Sequence, residues 1–261
     1  VNHIYDRLPH EKYDHPMHGE GSWAPSIRYH EGLFYVYFCT PNDGLFVART
    51  KHPLGRWELH QIVDVVKWED PCPLWDEDGK AYLVHSIHRG GPAIVHRMSE
   101  DGLRLLDNGV TVYHDEEENP ILEGMKFHKH NGYYYMFGAW GSCCEGLNSS
   151  YRVVVGRSKS LFGPYFNKSG GRMLDNQHEE ILKGNDRVKG CGHTSQIFTD
   201  DKGQDWILYH GYDVSDPNAG RKMYLDQVNW DEDGWPKIHI GSPSTNRKEA
   251  PYFKPVKEEE K

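Results

Sequence analysis

The chain is short of cysteine, of positive charge and of long apolar runs. Cys39, Cys72, Cys143, Cys144 and Cys191 are an odd and scattered set in 261 residues. They do not form the dense framework of a small secreted disulfide domain, so the expectation is a reducing, cytoplasmic compartment. A signal peptide upstream of Val1 would make the protein secreted instead, but residues 1–10 do not have that pattern. No apolar stretch approaches the roughly 20 residues of a membrane helix, so no membrane partner is expected. Lys and Arg number 30 against 39 Asp and Glu, a formal net charge of −9. A nucleic-acid partner is therefore not expected, because its affinity would come from a basic face. Apolar residues at helical spacing are also scarce.

Aromatics and turn residues are abundant, with 16 Tyr, 9 Phe and 8 Trp among 27 Gly and 15 Pro. That mixture predicts many short strands joined by turns. Four segments align on one pattern: Trp23 to Tyr35, Asp70 to Tyr82, Glu123 to Tyr135 and His193 to Trp206. In each, a turn glycine (Gly32, Gly79, Gly132, Gly203) is followed three residues later by an aromatic and preceded five earlier by an apolar residue. Glu31-Gly32, Asp78-Gly79 and Asn131-Gly132 are the polar-Gly pairs that hairpin turns with positive φ require. A third apolar run follows each hairpin, at 45–49, 93–97, 152–157 and 222–226. A fourth strand is expected after the turns marked by Gly55-Arg-Trp57, Gly163-Pro-Tyr165 and Gly234-Trp-Pro236. Four strands per unit at glycine spacings of 47, 53 and 71 residues make propeller blades, starting near 22, 69, 122 and 192.

The first strand of a blade lines the central channel, so equivalent positions of different blades converge there. Nine residues before the turn glycine lie Trp23, Asp70, Glu123 and Thr194, the last beside His193. Two carboxyls from separate blades next to an indole suit cleavage of a glycosidic bond: one protonates the leaving oxygen, the other tunes it or activates water, and the indole stacks on a sugar ring. The insertion from Trp140 to Ser150 is expected to rim this pocket, which adds Trp140 to the substrate-binding candidates. The histidines offer no helical zinc motif, and Cys143-Cys144 has the wrong spacing for one. The acidic runs 116–118 and 258–260 read as solvated.

These residues resemble glycoside hydrolase family 43. The matching stretches are Trp23-Ala-Pro-Ser-Ile, Glu69-Asp70-Pro, Asp76-Glu-Asp-Gly79, Glu123-Gly124, Gly192-His193, Tyr209-His210, Gly220-Arg221 and 230–236, together covering almost the whole chain. Cys143 to Tyr151 and Gly163-Pro-Tyr165 look like the arabinan-cleaving members.

The resemblance implies an all-β, five-bladed propeller forming one domain over 1–261. Its first blade would be incomplete, with four full blades, a remnant outer strand at 1–10 and a tail at 241–261. It also implies an inverting hydrolase that removes α-L-arabinofuranosyl or β-D-xylosyl ends from arabinan, arabinoxylan and xylo-oligosaccharides. Glu123 would be the general acid and Asp70 the carboxylate that orients it. Trp23, His193 and Arg221 would bind substrate. No cofactor is needed for the chemistry, and a calcium ion beside His193 in the channel is the structural metal it suggests.

The family's general base, an Asp-Pro on the inner strand of the first blade, has no counterpart before Trp23, where about forty residues, one blade, would precede Val1. Asp14, Glu20 and Asp43 are the nearest acidic candidates. A homo-oligomer that covers the open blade edge is another source. The alternatives are a carbohydrate-binding propeller without turnover and an endo-acting arabinanase. A WD-type scaffold lacks its repeating signatures here.

Overall fold

The computed structural model describes all residues except 1, 2, 6, 9, 16–18, 89, 90, 115–121, 247 and 256–261. Both acidic runs, 116–118 and 258–260, lie outside the described residues. The first sheet contains β1 Ser26–His30, β2 Leu33–Thr40, β3 Gly44–Thr50 and β4 Glu58–Val63. The second contains β5 Trp68–Trp75, β6 Ala81–Ile87, β7 Ala93–Met98 and β8 Val110–Tyr113. The third contains β9 Leu122–His130, β10 Tyr133–Trp140, β11 Arg152–Ser158 and β12 Glu179–Lys183. In the fourth, β13 Val188–Gly192 and the short β14 Phe198–Thr199 both pair with β15 Asp205–Asp213, followed by β16 Arg221–Trp230 and β17 Pro236–Ile238. Each sheet is an antiparallel meander in chain order, and the four, numbered from here as first to fourth in chain order, are the complete blades of a propeller ring. No helix of the described residues is long and apolar enough to cross a membrane.

Two hairpins have the predicted turn chemistry. Glu31 and Gly32 have φ of 45° and 81°, Asn131 and Gly132 have 48° and 72°, and His30 pairs with Leu33 as His130 pairs with Tyr133. Positive φ at both central residues gives the twist that closes a two-residue hairpin.

Two strand expectations are corrected. The described residues among 1–10 form no strand; Ile4 and Tyr5 instead pack on Trp57, Val36 and Ala48 of the first blade. These apolar side chains find a covered surface on that blade without joining a ladder. The fourth strand of the third blade does not directly follow Gly163-Pro164-Tyr165. Phe166 there makes isolated bridges to Arg157 and Arg172, and the strand itself comes later, at Glu179–Lys183.

The core lies in the seams between neighbouring blades. Tyr37, Leu45 and Leu83 fill the first seam, Cys72, Met125, Phe127 and Tyr165 the second, and Tyr135, Phe137, Ile207 and Trp235 the third. Burying one such aliphatic or aromatic side chain contributes about 1.5–3 kcal/mol. The first and fourth blades instead face each other across a cavity of about 620 Å³, with Ile27 and Arg28 on one side and Phe198, Leu208 and Met223 on the other.

Candidate active site

The site is built by three irregularities of the inner strands. On β5, Glu69 pairs with Ser86 and Cys72 with Val84, so β5 has one residue more than its partner, and Asp70 takes a left-handed φ of 55°. On β9, Glu123 pairs with Ala139 and Lys126 with Phe137, and the extra residue coincides with Gly124 at φ 68°. On β13, Lys189 pairs with Tyr212 and Gly192 with His210, with Gly190 at φ 59°. Three adjacent blades thus carry a bulge near the same end of the inner strand, and a bulge re-aims side chains that strict alternation would send to opposite faces.

The first consequence is a cluster of three carboxyls, Glu69, Asp70 and Glu123, whose oxygens lie within 4.8 Å of one another. Asp70 is buried, and its Oδ2 accepts a hydrogen bond from the Gly124 backbone N–H at 2.8 Å. A side chain at Gly124 would press on the His193 ring at 3.3 Å, so the left-handed glycine both donates to Asp70 and makes room for the histidine. Burial pushes the Glu123 carboxyl up to about 8, helped by the charges of Asp70 and Glu69 and opposed by a hydrogen bond from the Cys143 thiol and the charge of Arg221. The Tyr151 hydroxyl donates to Glu123 Oε1. Burial, then the charge of Asp70, likewise raises Glu69 to about 8. Glu69 Oε2 lies 2.9 Å from His88 Nδ1, and the His88 ring packs on Trp23 at 4.7 Å between centroids.

The structure thus places Trp23, Asp70, Glu123, His193 and Arg221 around one pocket. His193 Nε2 lies 3.7 Å from Asp70 Oδ1, and Arg221 opens β16 on the rim, close enough for its charge to act on Glu123, His193 and His210. Burial lowers His193, and burial with the Arg221 charge holds His210 at about 4, so both imidazoles are neutral at ordinary pH. Trp140 is not in the cluster. Its neighbour Ala139 pairs with Glu123, whereas the Trp140 ring turns to the other face of β10, under the Arg152 guanidinium at 3.9 Å and against His178. The loop that follows Trp140 does reach the site, through Cys143.

The three candidate bases stand elsewhere. Asp43 accepts from Lys12 at 2.7 Å, from Tyr13 and from Thr40; Asp14 pairs with Arg7; Glu20 accepts from Asn42 at 2.8 Å. Each is spent on local structure of the first blade and the segment before it. Glu69, Tyr151, Cys143, His88 and His210 belong to the site although the repeat position did not select them.

Around His193, Asp70 Oδ1 lies 3.7 Å from Nε2, and Lys126 and Arg221 add positive charge.

The family model for glycosyl hydrolases family 43 matches residues 2–236. The chain belongs to glycosyl hydrolase family 43. A putative β-xylosidase of Xylanibacter ruminicola is 42% identical over 242 residues, which is 92% of this chain but 42% of that protein. This chain thus spans less than half the length of that relative. An extracellular exo-α-(1→5)-L-arabinofuranosidase of Cellvibrio japonicus is 30% identical over 83% of this chain and 69% of its own length. Among solved structures, an exo-1,5-α-L-arabinanase from a bovine ruminal metagenomic library superposes with a TM-score of 0.75 at 28% identity, covering 84% of this chain and 78% of that one.

Proposed function

We propose that this family 43 chain is a glycoside hydrolase acting on terminal α-L-arabinofuranosyl or β-D-xylosyl residues of arabinan, arabinoxylan or xylo-oligosaccharides, with Glu123 as general acid. The observation that carries this reading is the Glu123 carboxyl, raised to about 8 beside Asp70. A carboxyl in that state holds its proton at neutral pH and delivers it to a leaving glycosidic oxygen. Tyr151 and Cys143 orient the Glu123 oxygens. Asp70, fixed by Gly124, keeps the proton on the acid through its charge. Trp23, buttressed by His88, offers an indole face for a sugar ring.

Inversion needs a base about 6.5–9.5 Å from the acid, with a water between them. Glu69 is too near Glu123 for that role, and Asp14, Glu20 and Asp43 are engaged elsewhere. This favours a second reading, a carbohydrate-binding propeller that keeps the acid side of the pocket and lacks turnover. Release of pentose from arabino- and xylo-oligosaccharides by this chain and by Glu123→Gln separates the two. The first reading predicts release that falls by roughly 10²- to 10⁴-fold in the variant. Oligosaccharide binding with no release by either protein establishes the second.

A further inference from the structure

Away from the carboxyl cluster, the C-terminal end of β9 meets the start of β15 across the seam between the third and fourth blades. His128 and His130 are two residues apart on one strand, so their side chains share a face. The structure brings both together with Asp205, the first residue of β15, so that one ligating atom from each lies within 4.8 Å of the others. The carboxylate is held from behind: Thr199 Oγ1 donates to Asp205 Oδ1 at 2.6 Å and Trp230 Nε1 to Oδ2 at 2.8 Å. Trp230 also fixes the imidazoles, stacking on His130 at 3.7 Å with a 5° interplanar angle and on His128 at 5.4 Å with 18°.

We propose that His128, His130 and Asp205 bind a borderline divalent transition metal, Zn²⁺ being the reference ion, which clips the third blade to the fourth. Two imidazoles and one carboxylate are a donor set suited to zinc, with a fourth position left to water. Ligand atoms around a tetrahedral Zn²⁺ stand roughly 3.3 Å apart, so the side chains need close by only about 1.5 Å. Arg28 places positive charge near His128, and Asp205 opposes it. The hydrogen bonds from Thr199 and Trp230 are the outer-shell support that orients a ligating carboxylate.

The test titrates ZnCl₂ into the full chain by calorimetry, with His128→Gln, His130→Gln and the double variant alongside, each checked for an unchanged metal-free melting curve. One Zn²⁺ per chain is expected, bound at least roughly tenfold more weakly by each single variant, with a melting temperature that rises on Zn²⁺ addition only in the unsubstituted chain. Should a variant fail to fold, Co²⁺ added to the unsubstituted chain is expected to give the intense visible bands of a low-coordinate imidazole site. Absence of Zn²⁺ binding, undiminished binding by the double variant, or binding lost in Asp70→Asn or Glu123→Gln, which would locate the ion at the other carboxyl cluster, overturns the proposal.

Discussion

Glu123 and Glu69 sit in the same pocket and are both raised, yet they differ in partners: Glu123 accepts from Tyr151 and Cys143, while Glu69 has one oxygen against His88 and the other without a partner. The Glu123 proton depends in part on the charge of Asp70. Replacing Asp70 by Asn removes that charge, so the alkaline limb of kcat/KM, near pH 8 for an acid at about 8, is expected to move to lower pH, with a lower maximum. An unmoved limb would mean that Asp70 does not tune Glu123. Glu69 makes a prediction about stability. Its carboxyl is held at about 8 in the folded chain against an ordinary 4.5, so the folded state keeps a proton that the unfolded state gives up. That contribution is full below pH 4.5 and is lost as pH rises towards 8. Glu69→Gln is therefore expected to leave stability unchanged near pH 4.5 and to raise it by about 1–2 kcal/mol at pH 8.5. Urea unfolding at the two pH values reads this directly, and an equal difference at both would contradict it.

The inner strands decide which residues were legible. Asp70 and Glu123 stand at one repeat position, and counting back from the turn glycine finds both. Glu69 cannot be found that way, because strict strand alternation sends consecutive residues to opposite faces, and only the bulge at Asp70 brings both to one pocket. The signal was available in retrospect, since glycine follows the site residue in Glu123-Gly124 and precedes it in Gly192-His193. Trp140 opens the loop that reaches the site through Cys143, but one residue along β10 from Ala139 its ring lies on the other face. Tyr151 depends on the element opposite it. A side chain at Gly192 would meet the Tyr151 ring at 2.4 Å, so Gly192→Ala must displace the ring whose hydroxyl holds Glu123. It is expected to cost about 1–3 kcal/mol of stability and to lower kcat more than it raises KM, measured by denaturation and steady-state kinetics. Wild-type kinetics in this variant would remove Tyr151 from the site.

At the scale of the molecule, four meanders in chain order, their seams filled by aromatic and aliphatic side chains, follow from the repeat, and the four blade starts lie within a few residues of where the glycine spacing puts them. The gap between the first and fourth blades was less legible in its chemistry. It is walled by Ile27, Phe198, Leu208 and Met223, and the buried Lys126 faces it with no hydrogen-bond partner for its Nζ. Sequence periodicity predicts a central channel, but not the positive charge that Lys126 and Arg221 place near His193. The ring brings Glu123, Asp70 and Trp23 to one mouth, and the central claim is that this mouth protonates a leaving glycosidic oxygen through Glu123. The most direct measurement compares pentose release by this chain and by Glu123→Gln on two substrates, a 4-nitrophenyl pentoside and an oligosaccharide of the same sugar. The account predicts a loss of roughly 10²- to 10⁴-fold on the oligosaccharide and a much smaller loss on the nitrophenyl glycoside, whose leaving group needs no proton. Equal losses on both substrates, or an undiminished rate on the oligosaccharide, would contradict it.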